Sequence, residues 1–349
     1  MPARATGRLR GTSPGKVSAQ AEVNADTIAD FVRTHSYRGH SHKNRCPSVV
    51  CYDENAVELK PNSKKEEKLD RENTYINANI VNSPQGNFIL AQAPMANTLI
   101  EWYRMIWQLK ISIVVCLIDP QEIPPSERYF ALKEGNKLKI KNRFKISTTS
   151  VREHDGIIVN YELRVTNRRA SSDKNRVVYV IVRPTKDDTP IEPRKQLNLI
   201  AEVWATETAT STFEENSETP PILVHSCNGV SRTAAFVATA MLCKSLETQG
   251  EMSPVEVWSR LNQVRHNAAR ECFHFISSIE CALVYAFDIG LLTANINQLK
   301  DVNKVSTSSC PTLALACPLC YGLVGIKKCW RDVIAERWSD ARVIVSSIR

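Results

Sequence analysis

The sequence predicts an α/β fold, and three stretches carry that reading. Ile222–Val224 is a short apolar run of the kind that forms a buried parallel strand, and it leads past Gly229 into Ala234–Leu246, rich in Ala and Leu and read as a helix. Phe88–Gln108 reads as a strand, a turn at Pro94 and a helix opened by Asn97 as N-cap. Between Lys137 and Val182 the runs K-L-K-I-K, I-I-V-N-Y-E-L-R-V and V-V-Y-V-I-V alternate as strands do.

Composition sets the setting. A chain of 349 residues has room for one large domain or two small ones, and 43% hydrophobic with 23% charged residues is ordinary for a globular protein. The formal net charge is +8, but Arg4, Arg8, Arg10 and Lys16 all precede the first acid, Glu22, so part of the surplus is a basic arm. No aromatic interleaves those charges to stack a base, which argues for a solvated tail over a nucleic-acid contact. Of eleven cysteines, Cys116 and Cys243 sit in apolar runs that suit buried free thiols, so a reducing, cytoplasmic compartment is expected. The first residues lack the apolar stretch of a signal peptide.

The remaining elements follow in order. Residues 1–20 are aperiodic and expected to be disordered, and Ala25–Val32 has helical spacing. In the helix after Pro94, Leu99, Trp102, Tyr103, Ile106 and Trp107 form the core-facing side, and Ile111–Ile118 is a buried strand. Arg194–Thr210 reads as a helix packing Leu197, Ile200 and Trp204. Ser253-Pro254-Val255-Glu256 is a capping box with proline at the first helical position, ahead of Val257, Leu261 and Val264, and Phe275–Leu292 is a final helix. Beyond it, Val305–Ile326 carries no charge. Cys310, Cys317, Cys320 and Cys329 contain one C-x-x-C pair without a second, so no zinc site is expected. Two prolines and a hydroxyl-rich start argue against a membrane span there.

The chemistry concentrates at I-L-V-H-S-C-N-G-V-S-R-T, Ile222–Thr233. A strand, a tight turn and a helix N-terminus in succession point backbone N–H groups and a helix dipole at one spot, and Arg232 adds a planar fork suited to phosphate oxygens. The stretch resembles the loop V-H-C-S-A-G-V-G-R-T-G of the cysteine-dependent protein tyrosine phosphatases. His225, Gly229, Val230, Arg232 and Thr233 match. The resemblance makes Ser226, Cys227, Asn228, Gly229, Val230, Ser231 and Arg232 the phosphate cradle and puts Ser226 where the family has its nucleophilic cysteine. Cys227 stands one place late, with four residues before Arg232 where the family has five. A thiolate in such a cradle is activated by the surrounding dipoles and the cation, whereas a serine hydroxyl stays protonated without a base.

The likeness extends both ways. K-N-R-C-P-S-V-V-C-Y-D-E-N-A-V-E-L, Lys43–Leu59, resembles the family's phosphotyrosine-recognition loop through Lys43, Asn44, Arg45, Val49, Cys51, Asp53, Val57 and Leu59, but Cys46 replaces the tyrosine that walls the substrate ring and Ser48 the aspartate that holds the substrate backbone. T-Y-I-N-A-N, Thr74–Asn79, and the stretch Phe88–Gln108 match scaffold motifs. With Pro184 aligned to the centre of the family's Trp-Pro-Asp acid loop, Arg183 takes the tryptophan's place and Thr185 the acid's, unless a re-registered loop presents Asp187 or Asp188. A threonine hydroxyl does not protonate a leaving phenolate at neutral pH. Arg265 aligns with an arginine of the family's glutamine loop, but the water-positioning glutamine has no counterpart in Val264–His274.

Taken together, the resemblance implies a twisted mixed sheet flanked by helices. Its single domain would cover 21–293, between a disordered tail at 1–20 and a cysteine-containing extension at 294–349. It implies an inactive relative with no catalytic residue, Ser226 and Thr185 being degenerate, and with neither cofactor nor metal. Partners would be phosphotyrosyl or other signalling proteins, with no nucleic acid and no membrane. Two uses stay open, capture of phosphotyrosine and a scaffold that leaves the pocket empty. The alternative is an active phosphatase attacking through Cys227.

Overall fold

The computed structural model describes residues 34–61, 74–185, 189–211 and 219–292. The expected tail at 1–20, the helix at Ala25–Val32 and the extension at 294–349 with its four cysteines lie outside the described residues. Among the described residues nine strands form one sheet: β1 Ala56–Glu58, β2 Tyr75–Ser83, β3 Gly86–Gln92, β4 Ile113–Cys116, β5 Lys137–Ile140, β6 Phe144–His154, β7 Ile158–Asn167, β8 Asn175–Val182 and β9 Ile222–Ser226. Their spatial order is β1-β2-β3-β9-β4-β8-β7-β6-β5. The pairs β3/β9, β9/β4 and β4/β8 are parallel, and the flanking pairs are antiparallel. The helices are α1 His35–Gly39, α2 Leu99–Gln108, α3 Pro193–Thr210, α4 Ser231–Gln249, α5 Pro254–Val264 and α6 Cys272–Asp288.

Both faces of the central strands are covered, which is why β9 reads as an unbroken apolar run. Ile222 and Val224 face Phe236, Val237 and Met241 of α4, within a core shared with Leu199 of α3 and Trp258 of α5. Leu223 faces the other way, into a core built on Trp102, Met105 and Ile106 of α2 with Tyr129. All five β9 residues are buried. Strands with one face in each core need hydrophobic residues at both parities, whereas half-covered strands alternate.

The main departures from sequence expectation are local. Asn97 is not the N-cap of α2: Thr98 holds that position, its Oγ1 accepting the Met95 N–H at 2.8 Å, while Asn97 Nδ2 donates to the His42 carbonyl at 2.9 Å. Ser253 does stand at the start of α5 with Pro254 behind it, but its side chain makes no capping hydrogen bond. The final helix begins three residues earlier than expected, at Cys272, and ends at Asp288. β6 is an eleven-residue strand that the pattern reading missed. Its sequence F-K-I-S-T-T-S-V-R-E-H hides the alternation because a threonine fills a core slot: Phe144, Ile146 and Thr148 are buried, and Thr148 Oγ1 donates to the Ala131 carbonyl at 2.6 Å.

The turn after β9 is pressed onto β3. Gly229 has φ +68°, and a Cβ there would lie 2.2 Å from the Ala91 carbonyl carbon and oxygen. Gly250, which ends α4, has a similar φ of +72° with nothing within 4 Å. Gly250→Ala therefore reads the left-handed backbone cost alone, about 1 kcal/mol. Gly229→Ala adds the collision and is expected to cost about 2–4 kcal/mol. Urea midpoints at unchanged m-value measure the difference; equal shifts for the two variants would refute the close approach.

Candidate functional site

Two loops that are far apart in sequence meet at the C-terminal ends of β3 and β9. Gln92, the last residue of β3, is in register with Ser226, the last of β9. Its amide joins the loops: Gln92 Oε1 accepts the Arg45 N–H at 2.9 Å and Nε2 donates to the Lys43 carbonyl at 2.8 Å. Ala93 continues the junction. Its N–H reaches the Ser226 and Cys227 carbonyls at 2.9 and 3.1 Å, and its own carbonyl accepts Arg45 Nε at 3.3 Å. The structure thus brings Lys43–Ser48 beside Ser226–Arg232. Gln92 and Ala93 were visible only as part of a scaffold motif.

In the first loop Lys43, Asn44 and Arg45 are inward ties. Buried Lys43 pairs with Glu101 of α2 at 3.2 Å. Asn44 Oδ1 accepts from the Tyr75 hydroxyl at 2.5 Å and from Asn77 at 2.9 Å. Arg45 reaches the Pro94 carbonyl at 2.8 Å and Glu127 at 2.6 Å. The two departures face outward: Cys46 is half-buried and Ser48 exposed, Sγ and Oγ 3.1 Å apart. An aromatic wall would add about 0.5–1.5 kcal/mol of ring contact at such a place, and a thiol does not supply it.

The second loop is braced from behind. Arg265 is fully buried, donating from Nε to the Gly229 carbonyl at 3.0 Å, from Nη2 to Asn228 at 3.1 Å and from Nη1 to Asn79 Oδ1 at 2.8 Å. His225 is equally buried, its Nε2 2.8 Å from the Tyr129 hydroxyl. Burial pushes His225 down to about 3, so the imidazole is neutral at neutral pH. Tyr129 carried no signal in sequence. The residues that hold the loop's shape are therefore all in place.

Its front is different. Ser226 is buried, and its Oγ accepts from the Gly229 N–H at 3.1 Å and from Thr233 Oγ1 at 3.0 Å. Cys227 is exposed as a free thiol. Arg232 stands in the first turn of α4, where Nη1 donates to the Leu117 carbonyl at 3.1 Å, the Thr185 carbonyl at 2.9 Å and Thr185 Oγ1 at 2.8 Å. Thr185 in turn donates to the Leu117 carbonyl at 2.5 Å. The structure thus joins Thr185 to the arginine of the cradle. Arg183 is buried, while Asp187 and Asp188 lie outside the described residues. Among the described residues no group of His, Cys, Asp or Glu has a metal-binding arrangement.

A family model of protein-tyrosine phosphatases matches residues 40–284, which takes in both loops and every described strand of the sheet. The chain belongs to that family. Tyrosine-protein phosphatase non-receptor type 7 of Mus musculus is 28% identical over 219 residues, 61% of this chain and 55% of the relative. Receptor-type tyrosine-protein phosphatase R of Homo sapiens is 26% identical over 251 residues, 69% of this chain and 35% of the relative. The chain spans 35–56% of the length of the non-receptor relatives it matches, 55% in one case and 35% in another. In structure it is similar to the human PTPN18 catalytic domain, with TM-score 0.60 and 21% identity, covering 76% of this chain and 93% of that one. PTPN18 in complex with HER2-pY1196 phosphopeptides gives TM-score 0.62 over 76% and 90%. Both likenesses show the fold.

Two buried imidazoles make stability pH-dependent. His266, whose Nδ1 accepts the Val50 N–H at 3.3 Å, is pushed down to about 4 by burial and then by the Arg265 charge. Unfolded, both histidines titrate near 6.5, so below that pH the unfolded chain binds protons the native state refuses, and stability rises with pH. Stability is intact above about 6.5 and is lost as the pH falls toward 4 and then 3. From pH 7 to pH 5 each imidazole is expected to cost about 2 kcal/mol. His266→Asn, which keeps an acceptor for Val50, should remove about half of the fall in thermal midpoint; an unchanged slope would show that His266 is not buried neutral.

Proposed function

We propose that this protein is a catalytically silent member of the tyrosine phosphatase family, a module that binds phosphotyrosyl or other signalling proteins without hydrolysing them. The observation that carries it is Ser226 Oγ at the end of β9, a buried hydroxyl accepting from Gly229 and Thr233. Activating a hydroxyl there takes a base. The adjacent imidazole is engaged with Tyr129, and His225 serves the core. At the acid position Thr185 offers a hydroxyl already donated to Leu117. Cys46 and Ser48 leave the recognition loop without its ring wall or its backbone-holding carboxylate.

The cradle keeps residual affinity for oxyanions. A neutral oxygen in place of a thiolate removes a charge repulsion of about 4 kcal/mol at 4 Å and an effective dielectric of 20, an upper guide to the relief. A helix N-terminus and Arg232 still favour an anion. PTPN18, similar in fold, is known in complex with HER2 phosphopeptides, which supports phosphotyrosyl partners for this chain. Buried free thiols at Cys51, Cys116, Cys243 and Cys281 support a reducing, cytoplasmic setting.

A second reading rests on the exposed Cys227 thiol, one residue past the nucleophile position. Hydrolysis of an aryl phosphate separates the two. The wild type is expected to match Ser226→Ala at background. Ser226→Cys should gain slow turnover, and adding Thr185→Asp should raise it by about 100-fold or more, the ordinary contribution of a general acid. Wild-type turnover that disappears in Cys227→Ala would overturn the silent reading.

A further inference from the structure

Thr185 occupies the place of a catalytic acid without the means to act as one, yet it is bonded into the cradle. Three groups form a closed triangle: Arg232 Nη1 donates to Thr185 Oγ1 at 2.8 Å and to the Leu117 carbonyl at 3.1 Å, and Thr185 Oγ1 donates to that same carbonyl at 2.5 Å. The Thr185 carbonyl adds a fourth contact at 2.9 Å. Two N–H bonds on Nη1 are thus shared among three acceptors, which fixes the guanidinium plane as well as its position. Granted the oxyanion affinity proposed above, we infer that Thr185 is a positioning residue, holding Arg232 in the pose that receives an oxyanion.

On its other side Arg232 lines a cavity of about 10 Å³ with Gln196, Thr239, His274 and Ser277, room for about one water molecule. On the inference, an oxyanion at the cradle meets Arg232 in the pose the triangle fixes, so preorganisation by Thr185 strengthens capture. A bidentate contact depends on the fork's plane, so loss of the hydroxyl costs more than one neutral hydrogen bond's worth of order. Valine keeps the shape of threonine and removes both the donor to Leu117 and the acceptor for Arg232.

Calorimetric titration of the whole chain with tungstate tests this. Thr185→Val is expected to weaken binding about tenfold to 100-fold, the scale of one charge-assisted hydrogen bond. Thr185→Ser, which keeps the hydroxyl, should stay within about twofold of wild type. In an Arg232→Ala background, Thr185→Val should change nothing further, an outcome that general loosening of the loop would not produce. Should Thr185→Val fail to fold, Thr185→Ala with the same background control reads the same triangle. Tighter or unchanged binding in Thr185→Val, or a loss that persists without Arg232, overturns the inference. Wild type silent to tungstate at millimolar concentration overturns the oxyanion reading and the inference with it, whereas wild-type binding with an indifferent Thr185 overturns the inference alone.

Discussion

The fully buried guanidinium of Arg265, closed over by the Asn228 and Gly229 carbonyls and the Asn79 amide oxygen, is the contact on which the site's shape depends. A cation with no acid partner survives burial only when oxygens are aimed at it from fixed positions. Here those oxygens come from the turn after β9 and from β2. Holding the charge and holding the turn are therefore one requirement. Gly229 lets the same turn lie against β3, where any side chain would strike backbone. Neither contact involves the atom at position 226.

That separation explains a loop with the family's frame and a different front. His225 against Tyr129, Ala93 against the Ser226 and Cys227 carbonyls, and Gln92 across to Lys43 and Arg45 all act from behind or beside the cradle. They are contacts between parts of the scaffold. The side chains of Ser226, Thr185, Cys46 and Ser48 take no part in these contacts, nor in the two cores. Fold and chemistry are held by different residues, so one is able to change while the other persists.

Much of this was legible in the sequence, for physical reasons that differ by element. β9 and α4 were readable because a strand buried on both faces must be apolar at every position and a helix rich in Ala and Leu declares itself. The cradle was readable because its spacing is tied to a turn only glycine makes. β6 was not, since Thr148 fills a core slot with a hydroxyl that finds the Ala131 carbonyl, a satisfaction that no alternation rule foresees. The Asn97 cap failed for a related reason: its amide is recruited by the His42 carbonyl, fifty-five residues away in the chain. The Thr185–Arg232 bond was beyond reach as well, because it joins a loop end to a helix start through side-chain geometry alone.

The pairing of His225 with Tyr129 has a broader bearing. Histidine at the head of this motif is easily taken for part of the reaction, but here it is a neutral ring packed edge-on against Trp102 and Tyr129 in the interior. Its persistence reports that the interior is still assembled the same way and carries no information about turnover. A motif that mixes such architectural letters with reactive ones names a lineage without reporting on its chemistry.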